Sequence, residues 1–252
     1  MNVRNHRAFG LGAGGTARDP NASALFSAAK CFYECDDGSG ANAVDASGNG
    51  QTLTQTNTVG TGTGVISSSR TFTRASSMKL QRTDETILRN GGGDFGIFFW
   101  VYIETQNGFQ GYATKYSGGA GSEWACYDSN GVGSRPRFGV STDGEGINAA
   151  SATWGSALAD DTWHSIAAWF TVADRKCHIA ANGGTPVDGA DVGGAVPGGA
   201  VPFALGMLGG DANYLDGRID QFYYGAIAFT TAQIAYLHNA GAGKTWANIQ
   251  TD

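Results

Sequence analysis

The chain has 252 residues, 41% of them hydrophobic, with 40 glycines, five prolines and a formal net charge of -6. That acidity argues against sequence-independent binding to nucleic acid or to an anionic membrane, both of which need clustered Lys and Arg, and no stretch approaches the roughly 18 uninterrupted apolar residues of a membrane helix. So many glycines point to tight turns between short strands, hence to an all-β chain, and all-β sandwiches of this length commonly form one domain.

Residues 1–25 contain Arg4, His6 and Arg7, followed by Phe-Gly-Leu-Gly-Ala-Gly-Gly-Thr-Ala-Arg-Asp-Pro rather than a continuous apolar segment. This does not read as a secretory signal, so a soluble product without an export address is expected. A segment rich in Gly, Ala, Arg and Asn lacks the apolar surface to bury itself. The expectation is an extended arm over 1–25, held by a neighbouring chain through Arg4, Arg7, Phe9 and Arg18, ahead of a β-sandwich over 26–252. Gly10, Gly12 and Gly15 spell a literal GxGxxG, but no strand precedes them and no helix pattern follows, so a dinucleotide site fails on context.

Lys30-Cys-Phe-Tyr-Glu-Cys35 reads as a strand, which sets Cys31 and Cys35 on one face roughly 13 Å apart, too far for a bridge. With Cys126 and Cys177 they read as four reduced, buried small hydrophobes. In Asp45-Ala-Ser-Gly-Asn-Gly50, the oxygen-bearing Asp45, Ser47 and Asn49 alternate as at the start of a calcium loop. Thr56, however, stands where an EF-hand needs its bidentate Glu. A turn bonding its own backbone is the preferred reading, with structural calcium at Asp45, Ser47 and Asn49 as the other. Asp143-Gly-Glu145 is a second oxygen-rich loop of the same ambiguity. No cofactor is required.

In 95–104, Phe95, Ile97, Phe99, Val101 and Ile103 share one strand face at period two. The opposite face carries Phe98, Trp100 and Tyr102, so something must cover it as well. In 163–172, Ile166, Ala168 and Phe170 form a core face with Trp169 opposite. A hairpin tip at Ala173-Asp174-Arg175 leads to a partner strand over 176–181 and a turn at Asn182-Gly183-Gly184. Residues 183–202 are low in complexity and read as a long surface loop. Further on, Asp220, Phe222 and Tyr224 alternate with Ile219, Gln221 and Tyr223. Thr230-Thr-Ala-Gln233 is a capping box opening a short helix with Ile234 and Leu237 on its apolar stripe, stopped near Gly241 and covering one end of the sandwich.

Five stretches occur in a fixed order: Asp45 to Gly50, Ser69 to Leu80, the strand with Trp100, Trp163-His164 running to Asn182-Gly183, and Tyr214-Leu-Asp-Gly-Arg-Ile-Asp220 before the Thr230 helix. In that order they resemble the laminin-G-like, concanavalin A-like family over about residues 30–240. The resemblance implies an all-β, two-sheet antiparallel jelly-roll sandwich with one short C-terminal helix, and a protein that binds rather than catalyses.

Glycoside hydrolysis needs two carboxylates at a fixed separation. The nearest pairs are Glu34 with Asp36, which read as a solvated strand end, and Asp216 with Asp220. By resemblance, Asp220 bonds loop backbone from inside the sandwich. His164 and His178 have no Ser or Cys elbow beside them, and Gly241-Ala-Gly-Lys-Thr245 lacks the first glycine of a phosphate loop. Two functions follow. One is a structural component of a larger assembly, such as a decoration or fibre protein of a phage virion, with itself or a capsid or tail protein as partner. The other is a lectin-like module that stacks glycan on Tyr112, Trp124, Tyr127 and Trp154.

Overall fold

A strand that is apolar on both faces needs a layer on each side, and the chain supplies both. The computed structural model describes residues 18–106, 108–129, 135–147, 150–210 and 212–252. Helix α1 (Pro20–Ala28) runs directly into β1 (Ala29–Tyr33), followed by β2 (Thr54–Thr56), β3 (Gly60–Thr63), β4 (Ser68–Phe72) and β5 (Lys79–Arg82). The middle of the chain holds β6 (Phe95–Ile103), β7 (Gln110–Lys115), β8 (Trp124–Ser129), β9 (Arg135–Val140) and β10 (Ala152–Thr153). Then come β11 (Trp163–Thr171), β12 (Lys176–Ala181), β13 (Val187–Asp191), β14 (Phe203–Leu205) and β15 (Gly217–Gly225), with α2 (Thr231–His238) and α3 (Trp246–Thr251) last. One antiparallel sheet has the order β13-β12-β11-β6-β15-β4-β3, with β1 also paired to β15. The other has the order β10-β9-β8-β7-β14-β5-β2.

The space between the sheets is filled as the alternation predicts. Phe95, Ile97, Phe99, Val101 and Ile103 meet Ile166, Ala168 and Phe170 in one buried cluster that includes all four free cysteines. The outer face of the β6 sheet carries a second cluster, in which Phe98, Trp100, Trp169 and Tyr223 are covered by Leu25, Ile234, Leu237, Trp246 and Ile249 from the three helices. The helix after Thr230 therefore seals a sheet face rather than an end of the sandwich. Its capping box is present, and it ends at Asn239, in the left-handed region, before Gly241 is reached.

Part of the expected arm is helix. Asp19 caps α1, its Oδ1 accepting from the N–H of Asn21 (2.7 Å) and Ala22 (3.3 Å), and Pro20 occupies the first turn, where its missing N–H costs nothing. Ala22 and Leu25 are buried, and Arg18 lies over the Phe26 ring at 4.7 Å. Residues 18–25 thus pack on their own domain, because an Asp-Pro start signal outweighs the polar composition around it. Arg4, Arg7 and Phe9 lie outside the described residues. Missed altogether was α3, which is opened by a second capping box between Thr245 and Asn248.

Two further readings are corrected. In β15, Ile219, Phe222 and Tyr224 face the inter-sheet core, because Gln221 at φ 48 forms a bulge that resets the alternation. Within 183–202, β13 pairs with β12 as an edge strand, and Val192, Val196 and Val201 are buried.

Trp246 shows how much the helix layer contributes. It is 4% exposed, with its ring 5.4 Å from Phe26 and 5.5 Å from Phe32. Trp246→Ala is expected to lower unfolding free energy by about 3–5 kcal/mol, read from urea denaturation. A loss under about 1 kcal/mol would mean that the helices rest on the sheet without stabilising it.

Candidate ligand-binding site

The outer face of the second sheet differs from that of the first. Strand register sets Thr54, Gln81, Ala204, Thr114, Ala125 and Gly139 side by side across six neighbouring strands. Directly paired residues point to the same side of a sheet, so this row is a floor of mostly small side chains. Loops settle closely onto it: a Cβ on Gly111 would stand 1.9 Å from Leu208 N, and one on Gly139 would stand 2.3 Å from Ile147 Cγ2.

An open cleft of about 500 Å³ remains beside these loops, lined by Phe109, Tyr116, Tyr127, Ile147, Leu208 and Asn213 among others. Phe109 is 41% exposed. Its ring centroid lies 6.2 Å from that of Tyr127, and the Arg137 guanidinium lies 6.0 Å from the Tyr127 ring. The backbone under Phe109 is fixed. Arg74 donates through Nη2 to the Phe109 carbonyl and through Nε to Tyr214 O at 2.8 Å. Next to it, Gln110 donates to Thr105 O at 2.5 Å and accepts from Asp216 N at 2.8 Å. The cleft thus has an aromatic wall, an amide at Asn213, and backbone polar groups of the 208–209 turn.

Of the four aromatics proposed from sequence, the structure brings only Tyr127 to this cleft. Tyr112 and Trp124 are fully buried between the sheets, the latter donating from Nε1 to the Tyr224 hydroxyl at 3.3 Å, so neither can stack on a ligand. Trp154 is half-buried at the sandwich edge, against both apolar clusters. Tyr and Trp serve both a core and a ligand surface, so residue type does not tell β7 and β8 core rings from cleft rings. Phe109 and Tyr116 were not among the sequence candidates, although a lone aromatic within Asn107-Gly-Phe109 is a readable signal.

The remaining candidates resolve into structural roles. Asp45 Oδ1 accepts from Phe32 N (3.1 Å), Ser47 N (3.0 Å) and Ser47 Oγ (2.7 Å), and Oδ2 accepts from Gln51 N (2.9 Å). Both carboxylate oxygens face N–H and O–H donors, an arrangement unsuited to a calcium ion, and Asn49 turns its amide to the Ala29 carbonyl at 3.0 Å. Asp143 Oδ1 likewise accepts from Ser141 Oγ and Glu145 N, both at 2.9 Å. Glu34 accepts from Trp246 N (2.9 Å), Asp36 from Ser68 N (2.9 Å) and Asp216 from Arg74 N (3.4 Å). His164 lies 3.0 Å from both Ala159 O and the Asn182 amide, while His178 stacks on Trp169 at 5.0 Å. A Ser165–His238 pair, 3.0 Å apart, lies against Trp100 at the C-terminal end of α2, and partial burial holds the imidazole below its ordinary pKa.

Asp220 does bond loop backbone, accepting through Oδ2 from Val65 N (2.7 Å) and Ile66 N (3.1 Å). It does so from the helix-side face, level with Trp100, rather than from inside the sandwich. Burial pushes its carboxyl up to about 7 despite those two donors.

The chain belongs to the concanavalin A-like lectin/glucanases superfamily, whose laminin G-type model matches residues 74–235. Among solved structures it is similar to the binding domain of Paraclostridial Mosquitocidal Protein 1, with a TM-score of 0.66 at 16% identity over 86% of this chain and 53% of that one. It is also similar to domain 4 of AbnA, a GH43 extracellular arabinanase from Geobacillus stearothermophilus, in complex with arabinotriose. There the TM-score is 0.62 at 15% identity, over 86% of this chain and 98% of that one. A structure of botulinum neurotoxin type C, whose cell entry depends on interaction with two ganglioside molecules, matches with a TM-score of 0.62 at 13% identity over 86% and 52%. The chain thus spans about half the length of the toxin domains. None of the curated proteins compared by sequence matches it.

The raised Asp220 pKa has a definite sign. A carboxyl that binds its proton more tightly in the folded state makes stability fall as pH rises from the ordinary carboxylate range, near 4, through about 7. Asp220→Asn keeps an oxygen for Val65 and Ile66 and removes the titrating carboxyl. Urea titrations between pH 4 and 8 should show a slope of up to about 1.4 kcal/mol per pH unit in the parent chain, flattened in the variant. An unchanged slope would place the titration elsewhere.

Proposed function

We propose that the chain is a non-catalytic binding module that takes carbohydrate in the Phe109–Tyr127 cleft. The observation that carries this reading is an exposed aromatic ring on a backbone held by Arg74 and Gln110, facing an open cleft with Tyr116 and Asn213. A sugar ring offers an apolar C–H face to an aromatic plate and hydroxyls to amides and carbonyls, and this cleft has both kinds of group. Among the described residues no carboxylate or imidazole lines it, so the described lining offers neither the acid nor the base of glycoside hydrolysis. The arabinotriose complex of AbnA domain 4 and the ganglioside dependence of the neurotoxin are in keeping with a glycan ligand. The alternative, a virion component anchored by an arm, draws on residues 1–25, and its share from 18–25 is lost to packing against α2 and α3.

A glycan array followed by calorimetry tests the proposal. Phe109→Ala and Tyr127→Ala should each weaken binding of any array hit at least tenfold, about 1.4 kcal/mol. Phe109→Ala should leave stability within about 0.5 kcal/mol of the parent. Hits whose affinity ignores both substitutions would remove this cleft as the site.

A further inference from the structure

This acidic chain has a cleft whose lining carries the opposite sign. β2 is the last strand of the second sheet, and its pairing with β5 sets Thr54 opposite Gln81 and Thr56 opposite Lys79. Directly paired residues point to the same side of a sheet, with Cβ atoms about 5 Å apart, and positions two along a strand are about 6.6 Å apart. These four side chains therefore share one small patch. With Arg82 and Thr83 they line a cleft of about 410 Å³, which has no lining residue in common with the Phe109 cleft.

The lining is rich in donors. Three hydroxyls, an amide, an ammonium and a guanidinium line the cleft, and among the described residues no carboxylate does, although the whole chain carries a net charge of -6. Hydroxyls and amides serve ligands of either sign, so the two cations decide which sign the cleft favours. Lys79 is only 9% exposed, which places its charge where salt screens it less than on an open surface. Arg82 donates from Nη2 to Glu85 at 2.8 Å, while its Nε is buried and has no hydrogen-bond partner among the described residues. Buried donors are normally paired, and an unpaired guanidinium N–H on a cationic cleft calls for an acceptor from outside the chain. A cleft lined by one sign of charge also concentrates counter-ions.

The geometry of the donors narrows the ligand. A planar carboxylate is met best by a single guanidinium fork, and here one arm of that fork already holds Glu85. The remaining donors stand on two strands, hydroxyls on β2 and an ammonium and an amide on β5, so they suit an ion with oxygens on several sides. We infer that this cleft is an oxyanion site that takes sulfate or phosphate, free or as the monoester of a small molecule, with Lys79 and Arg82 supplying the charge and Thr54, Thr56 and Gln81 fixing the orientation.

Calorimetry of the full chain with sodium phosphate, sodium sulfate, methyl phosphate, methyl sulfate and sodium acetate, at ionic strength matched with sodium chloride, tests this. Phosphate or sulfate should bind at least tenfold more tightly than acetate. Lys79→Gln should weaken that binding at least tenfold, and the double variant Thr54→Ala with Thr56→Ala at least threefold. Arg175→Gln removes an equal charge from an exposed side chain at the β11–β12 hairpin tip and should leave the affinity within twofold of the parent. Circular dichroism and unfolding midpoints establish that each variant is folded. Should the buried Lys79 prove intolerant of change, the threonine pair, exposed and half-buried on an edge strand, decides alone. Monoesters that bind at least as tightly as the free ions assign the oxyanion to a larger ligand, and weaker ones assign it to the free ion; the site stands on either result. Phosphate and sulfate that bind no better than acetate, or a loss in Arg175→Gln equal to that in the cleft variants, would overturn it.

Discussion

The architecture follows from one strand that cannot tolerate water on either side. In β6, Phe95, Ile97, Phe99, Val101 and Ile103 are completely buried on one face, and Phe98 and Trp100 are 2% and 3% exposed on the other. A sandwich satisfies only the first face. The second is closed by α1 from before the sheet and by α2 and α3 from after it, helices of nine, eight and six residues. Segments this short are marginal in isolation, since nucleation costs more than a few hydrogen bonds return. Their capping residues define where they begin, while burial against Phe98, Trp100 and Tyr223 keeps them formed. Tyr223 also donates to the Leu25 carbonyl at 2.9 Å, so the sheet holds the C-terminal part of α1 by a polar contact as well as by packing.

Charges inside the sandwich serve the same end by fixing loops. Lys115 and Glu123 are both fully buried and 3.5 Å apart. Such a pair is costly to desolvate unless its other donors and acceptors are met, and here they are. Lys115 Nζ reaches Asp84 at 3.0 Å and Val201 O at 2.8 Å, and Glu123 accepts from Asn90 N at 3.0 Å and Gly199 N at 2.8 Å. Beside them Lys30, drawn down to about 8 by burial, donates to Arg89 O at 2.7 Å and lies over the Tyr224 ring. Arg70 does the same for a different loop, donating to the carbonyls of Asp37, Gly38 and Ala41. These loops are ordered by buried polar groups and contribute to the scaffold.

Strand faces were legible wherever apolar residues alternated without interruption, as in β6 and β11, because period two is imposed by the pleat itself. The Thr230 capping box was legible for a similar reason: both of its hydrogen bonds lie within four residues. What could not be read depended on partners distant in sequence. The bulge at Gln221 puts Asp220 and Phe222 on opposite faces, and the donors to Asp220 come from the 64–66 turn. The burial of Tyr112 and Trp124 is decided by sheet pairing, and the exposure of Phe109 by Arg74, thirty-five residues earlier. The Asp19-Pro20 start was available locally but was masked by the Gly-rich composition before it. Of the cleft's lining only Tyr127 was anticipated, since residue type alone does not separate an aromatic that fills a core from one that lines a cleft.

The division of labour between the two sheets follows from their outer rows. On the β6 sheet the row bears large rings, which demand cover and receive it from the helices, leaving little of that face for a ligand. The other sheet bears Thr54, Ala204, Thr114, Ala125 and Gly139, which are small enough for loops to lie directly on the strands and for clefts to persist between them. Recognition surfaces gain from side chains whose freedom is restricted before the ligand arrives, because less entropy is lost on binding. Phe109 meets that condition: its ring is accessible while its carbonyl is held by Arg74 and the adjacent Gln110 is bonded on both sides. The interaction that orders this loop therefore also places an exposed ring over the cleft, and the exposure follows from the fold rather than from a failure to pack.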